Sequence, residues 1–191
     1  MRYVGTLGGN VANGDPGNDM PAVMLALNAT YQVAGKGGER RLAARQFYQG
    51  AYFTALEPGE IVTAIRIPVP PAGHGSAYQK LKRKIGDYAT AAAAVVLTLK
   101  GGGEVGSVAI GLTNVGETPL FAEEAARLLV GSTLGPEIVK KAVAAAEKIT
   151  APASDRRGTP LAGGALLTRS GNILLRSSTV TVVSRCCRSR R

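Results

Sequence analysis

The chain is poor in the residues on which most site chemistry depends. It has a single histidine, His74, which sits between Gly73 and Gly75 in a Pro/Gly stretch with no partner for a zinc site. With one histidine, no Ser/His/Asp arrangement can be assembled elsewhere in the chain either. It has two cysteines, Cys186 and Cys187, side by side near the end. Adjacent cysteines lack metal-finger spacing, and two are too few for a disulfide framework. An iron–sulfur cluster wants four thiolates, so this chain alone does not hold one. No apolar run approaches the length of a membrane-spanning helix. The first ten residues, MRYVGTLGGN, contain no apolar core of a secretory signal, and the expected location is the cytoplasm.

Acidic residues are missing from one region in particular. Six arginines and no Asp or Glu follow Thr168, so much of the net charge of +10 belongs to the last stretch of a 191-residue chain. A nucleic-acid reading needs positive charge spread over one folded face. Here the remainder is partly the run Lys80, Lys82, Arg83 and Lys84, and nucleic acid is not expected as a partner.

What is present is an ordinary globular composition, 45% hydrophobic and 19% charged, with 25 glycines that imply many turns. The Gly/Asn/Asp-rich segment Thr6–Pro21 reads as a loop. It leads into a short apolar helix, with Asp19 as a natural N-cap and Pro21 in its first turn. Thr30–Ala34 and Arg40–Ala43 read as a hairpin about Gly35–Gly38, and Gln46–Ala51 as a helical turn. Glu60–Val69 alternates Ile61, Thr63, Ile65 and Ile67 against Val62, Ala64 and Arg66, the period of a strand. Pro68–Gly75 is the best linker. Beyond it, Ser76–Arg83, Thr90–Lys100 and Glu104–Val115 read as strands, the valines tipping the alanine run Ala91–Val96 toward core sheet. Glu123–Val130 and Pro136–Ile149 follow as amphipathic helices, the second with Ile138, Val139, Ala142, Val143 and Ala146 on one face. Strands followed by helices predict an α+β fold. The expected division is residues 1–70, 71–160 and an irregular basic tail over 161–191.

The most suggestive motif is Thr6-Leu7-Gly8-Gly9-Asn10. Adjacent glycines let backbone N–H groups approach a phosphate closely, and the flanking hydroxyl and amide add further hydrogen-bonding groups. Alone, a Gly-Gly turn is as well read as plain structure; it is neither a P-loop nor a G-x-G-x-x-G fingerprint. Glu123 and Glu124 begin a helix, where acids favourably meet the dipole, and no catalytic role is assigned to them.

The longer block TLGGNVANGDPGNDMPAVMLAL resembles the flavin-binding signature of the medium subunit of molybdenum hydroxylases, the carbon monoxide dehydrogenase and xanthine dehydrogenase type. The resemblance continues through YQGAYFTALEPGEIVTAIRIPVP, YQKLKRKIGDYATAAAAVVLTL and IGLTNVGETPLFAEEAARLLVG, from Arg2 to about Gly158. The KLKRKIGDYA block lies nearest the carbon monoxide dehydrogenase branch. The resemblance implies the remainder of the second FAD-binding subdomain, followed by a C-terminal domain of antiparallel sheet packed with helices. It implies FAD as cofactor. Thr6, Leu7, Gly8, Gly9 and Asn10 would wrap its diphosphate and ribityl region. Asp19 would hydrogen-bond it, unless it serves only as a helix cap. Val62 would give an apolar or backbone contact. Lys80 would supply positive charge, unless it is one more solvated lysine. Tyr88 would lay a ring by the isoalloxazine, unless it is a core tyrosine. No side chain of the chain is expected to be catalytic. Substrate oxidation would fall to a molybdenum large subunit, with electrons passing through an iron–sulfur small subunit to the FAD, in a heterotrimer or a dimer of such heterotrimers. Peripheral association with the inner membrane face is compatible with this.

Two departures from the family shape the expectation. The family's first lobe, with a second Gly-rich loop of A-G-G-x-S type, is not found ahead of Thr6, so the chain reads as N-terminally truncated. After Gly158 the E-Y-R-like closing helix is replaced by TPLAGGALLTRSGNILLRSS, as a shifted reading frame would produce. The alternatives are a remnant that holds no flavin, and the medium subunit of a xanthine or aromatic-heterocycle dehydrogenase.

Overall fold

A computed structural model describes residues 4–152 apart from Arg83 and Ile85. The expectations placed on the basic tail, on Cys186 and Cys187 and on Arg83 lie outside the described residues. The chain runs through α1 (Leu7–Ala12), α2 (Asp19–Ala26), β1 (Thr30–Gly35), β2 (Gly38–Ala43), α3 (Ala44–Phe47), β3 (Tyr48–Gly50), β4 (Phe53–Thr54) and β5 (Ile61–Arg66). It continues through β6 (His74–Leu81), β7 (Ala91–Leu99), β8 (Val105–Thr113), β9 (Leu120–Phe121), α4 (Glu123–Leu129) and α5 (Pro136–Lys148). The α+β expectation holds: two larger antiparallel sheets, in the orders β2-β1-β5 and β6-β7-β8-β9, are each packed with helices, and β3 and β4 form a small third one.

The first lobe closes on Val11, Met24, Ala29, Tyr31, Ala44 and Phe47. Phe47 meets the Tyr31 ring edge-on at 4.7 Å between centroids and Tyr48 at 5.2 Å. The Tyr31 and Tyr48 hydroxyls lie 3.1 Å apart, which satisfies both phenols inside an apolar cluster. Burial pushes the Tyr31 phenol up to about 12, and raises that of Tyr48 as well.

Three local expectations are corrected. The segment Thr6–Pro21 is not all loop: Leu7–Ala12 is helical, because Thr6 adopts an extended backbone and its hydroxyl accepts the Gly9 N–H at 3.0 Å, a side-chain N-cap. The helical turn expected at Gln46–Ala51 falls earlier, at Ala44–Phe47; from Tyr48 the chain is strand, paired with β4. Strict alternation in β5 also fails. Val33 pairs with Val62 while Gln32 pairs with Ala64, which leaves Thr63 as an extra residue in a bulge. The bulge lets Val62 and Ile65 both pack on the first-lobe core, although alternation would send them to opposite faces.

The second lobe explains the alanine run. β7 is covered on both sides. Ala91, Ala93, Val95 and Leu97 join Ile110, Leu112 and residues of α4 and α5 in one core. By the period of two, Ala92 and Ala94 face the other way. They pair with Thr113 and Gly111 of β8, and with Lys80 and Tyr78 of β6, so these six residues share one face. That face is covered by α2 from the first lobe, and a side chain at Gly111 would collide with the carbonyl oxygen of Ala22. Small residues are what bring the helix down onto the sheet.

Candidate functional site

The N-terminal end of α2, seated on this face, brings together Asp19, Lys80 and, through Asn18, Asn10. Asn18 is the N-cap, without a side-chain capping bond, and Asp19 is the first helical residue. The capping role expected for Asp19 is therefore corrected. Its carboxylate turns to the second lobe instead: Tyr78 Oη donates to Oδ1 at 2.7 Å and Lys80 Nζ to Oδ2 at 2.9 Å. Lys80 is no free surface lysine; its side chain is 20% exposed and that of Asp19 34%. Burial and the adjacent Asp19 carboxylate raise the Tyr78 phenol well above its ordinary value, which keeps it a proton donor.

Asn18 also ties α1 to this centre, its Nδ2 donating to the Asn10 carbonyl oxygen at 2.9 Å. Thr113 Oγ1 lies 3.4 Å from the Asn18 carbonyl oxygen, a long contact across the lobes. Along α1, the Gly9 N–H is taken by Thr6, while Leu7 and Gly8 have no acceptor within the helix by helix geometry. Nothing lies within 4 Å of where a Cβ on Gly8 would stand. Asn10 carries the more telling feature. Its side-chain oxygen is buried and has no hydrogen-bond partner among the described residues. Buried acceptors in folded proteins almost always find a donor.

Tyr88 is brought to the same neighbourhood by a second loop. Asp15 Oδ1 accepts the Gly17 N–H at 2.8 Å, and the Tyr88 ring lies on Gly17, where a Cβ would stand 3.1 Å from its Cδ1. Asn114 fastens both loops: its N–H donates to the Pro16 carbonyl oxygen at 3.0 Å and its Nδ2 to the Ala89 carbonyl oxygen at 2.6 Å. Tyr88 is 44% exposed, so it is a surface ring at the junction and not a core tyrosine. Val62 stands apart. Its side chain packs on the first-lobe core, and β5 lies alongside α1, so its outward offering is the backbone of an edge strand.

Sequence reasoning passed over Tyr78, Asn18 and Asn114. A signal for Tyr78 was available, since it lies two residues before Lys80 on a predicted strand and must share its face. Asn114 had no such signal, because its partners come from loops remote in sequence. Glu123, set aside as a catalytic group, is paired with Arg127 at 2.6 Å on the surface of α4. The expected loop position of His74 is replaced by the first residue of β6, with Nδ1 at 3.0 Å from the Pro71 carbonyl oxygen. No cluster of three or more His, Cys, Asp or Glu suited to a metal occurs among the described residues.

The donor set fits a dinucleotide flavin: backbone N–H groups at a helix start for a diphosphate, a buried acceptor for a hydroxyl, and an aromatic ring for the isoalloxazine. Comparison with known proteins points to the same cofactor. Residues 1–70 match the family described as the FAD binding domain in molybdopterin dehydrogenase. Residues 76–161 match the CO dehydrogenase flavoprotein C-terminal domain. The chain is 68% identical over 158 residues to the carbon monoxide dehydrogenase medium chain of Afipia carboxidovorans, covering 83% of this chain and 54% of that one. It is 44% identical over 158 residues to the medium chain of Hydrogenophaga pseudoflava, covering 83% and 55%. Its structure superposes with a TM-score of 0.90 on reconstituted CO dehydrogenase from Oligotropha carboxidovorans, at 61% identity, covering 93% of this chain and 62% of that one. The chain thus spans about half the length of these curated relatives. It belongs to the family of FAD-binding medium subunits of molybdenum hydroxylases, with carbon monoxide dehydrogenase medium chains among its relatives.

Proposed function

We propose that the chain is the FAD-holding, electron-transfer part of a molybdenum hydroxylase that oxidises carbon monoxide. A partner iron–sulfur subunit would deliver electrons, a partner molybdenum subunit would oxidise the substrate, and an external acceptor would take the electrons away. FAD, when bound, supplies the redox chemistry; the chain binds and orients it. Residues 1–70 and 71–160 act as two units with the flavin at their junction.

In this reading the Leu7 and Gly8 N–H groups and the Thr6 hydroxyl hold the diphosphate. Gly9 leaves room beside them. Asn10 Oδ1 accepts from a ribityl hydroxyl, and the Val62 backbone borders the site. Asp19 accepts from an N–H or O–H of the flavin, Lys80 adds positive charge, and Tyr88 covers one ring face. The observation that carries the reading is the buried Asn10 side-chain oxygen, which has no hydrogen-bond partner among the described residues. The likeness to carbon monoxide dehydrogenase medium chains supports the choice of complex.

The test is to mix the purified chain with FAD, remove free ligand by gel filtration and record the spectrum. The reading expects flavin absorbance to travel with the protein and to fall when Asn10 is replaced by Ala. A colourless protein after reconstitution would instead support a remnant that holds no flavin.

A further inference from the structure

Resting on the flavin reading above, the geometry points to Tyr78 as a positioning residue that sets the Asp19 carboxylate for FAD binding. The β6–β7 register sends Tyr78 and Lys80 to one sheet face, opposite Ala94 and Ala92. Those small neighbours leave space above them, and α2 settles into it with Asp19 at its first helical position. Tyr78 then meets one carboxylate oxygen and Lys80 the other, at 2.7 and 2.9 Å.

A carboxylate held by a single donor still turns about its terminal torsion, which is broad. Two donors from one strand, one on each oxygen, fix its plane. Each carboxylate oxygen accepts more than one hydrogen bond, so acceptor capacity remains after both are engaged. The Asp19 side chain keeps a third of its surface open, and its neighbour Asn18 ties α2 to α1 through the bond to Asn10. Tyr78 is thus the neutral partner that orients the acceptor, while Lys80 keeps the pair close to charge balance. Neither residue needs to touch the flavin for the loss of the phenol to be felt by it.

A purely structural strap between the lobes predicts something different. The lobes are also joined at Gly111–Ala22, at Asn114–Pro16 and by Arg45, whose guanidinium carbon lies 3.5 Å from the centre of the Phe121 ring. Removing one hydroxyl therefore leaves the packing in place.

The experiment is a fluorescence titration of the full chain with FAD, comparing the unaltered protein with Tyr78→Phe, Asp19→Asn and the double variant, alongside thermal unfolding without ligand. Tyr78→Phe should weaken FAD binding about three- to tenfold, of the order expected for the net contribution of one ordinary hydrogen bond. It should shift the absorbance band of the bound flavin and leave the ligand-free unfolding midpoint nearly unmoved. In the double variant the loss should be no greater than in Asp19→Asn alone, because both changes act through one acceptor. Unchanged affinity and spectrum in Tyr78→Phe, losses that multiply in the double variant, or weakening matched by an equal loss of ligand-free stability would each overturn the proposal. If the unaltered chain binds no FAD, the flavin reading itself fails, and the role of Tyr78 with it.

Discussion

Gly111 of β8 lies so close beneath Ala22 of α2 that any side chain at position 111 would run into the Ala22 carbonyl oxygen. This contact is one of several that join the lobe holding the glycine-rich turn to the lobe holding Lys80 and Tyr88. The backbone is the obstacle, so it cannot swing aside as a flexible side chain would. Gly111→Ala should destabilise the chain by about 1–3 kcal/mol, the usual cost of overpacking, or more if α2 lifts off the sheet. Chemical denaturation measures this directly. A variant as stable as the parent would show that the helix does not sit on the sheet as described.

Gly8→Ala separates ligand binding from folding. Gly8 is helical, and a Cβ there meets nothing within 4 Å. Alanine in place of helical glycine should leave stability unchanged or raise it by up to about 1 kcal/mol. The added methyl nevertheless occupies the face on which a diphosphate must approach the backbone. A more stable protein that binds FAD less well is the expected pairing. Equal or tighter FAD binding would remove the diphosphate from this turn.

Much of this was legible in the sequence, for physical reasons that differ from element to element. The hairpin about Gly35–Gly38 and the β7 and β8 strands follow from turn residues and from runs of small and branched side chains, which are local properties. The helicity of Leu7–Ala12 was hidden because two glycines and an asparagine argue against helix by propensity; Thr6 as a cap, and the packing of Val11 into the core, override it. The double coverage of β7 was hinted at by its having Thr98 as its single polar residue. Which face takes α2, however, depends on Gly111, far along the chain. The Asp19–Tyr78–Lys80 arrangement spans the two lobes, and only the register of β6 against β7 brings it together.

The loop that closes the first lobe should show an acid-sensitive limb. Arg40 grips Glu60 through two bonds of 2.8 and 2.7 Å, and the Glu57 N–H adds a third at 2.7 Å. The Arg40 guanidinium, first, and the Glu57 backbone bond hold the Glu60 carboxyl down at about 2, from an ordinary value of 4.5. Because the folded-state value is depressed, the stabilisation is present above pH 4.5 and is lost as the pH falls toward 2. Unfolding midpoints measured from pH 6 down to about pH 2 should fall less steeply in Glu60→Gln than in the parent. Parallel curves would mean that the fork does not contribute.

Tyr31 and Tyr48 form a pair whose halves depend on each other. Tyr31→Phe should cost about 1–2 kcal/mol, because the Tyr48 hydroxyl is left with its partner gone inside the aromatic cluster. The double change to Phe at both positions should recover part of that loss, since no polar atom is then stranded. Double-mutant denaturation checks the sign of the coupling, and additive losses would count against a shared hydrogen bond.

The most direct measurement is a crystal structure of the chain grown with FAD. The diphosphate should lie on the first turn of α1, within hydrogen-bond distance of the Leu7 and Gly8 N–H groups. A ligand hydroxyl should meet Asn10 Oδ1, and the isoalloxazine should lie beside Tyr88. Flavin bound elsewhere, or Asn10 Oδ1 left without a ligand donor while FAD occupies the junction, would contradict it.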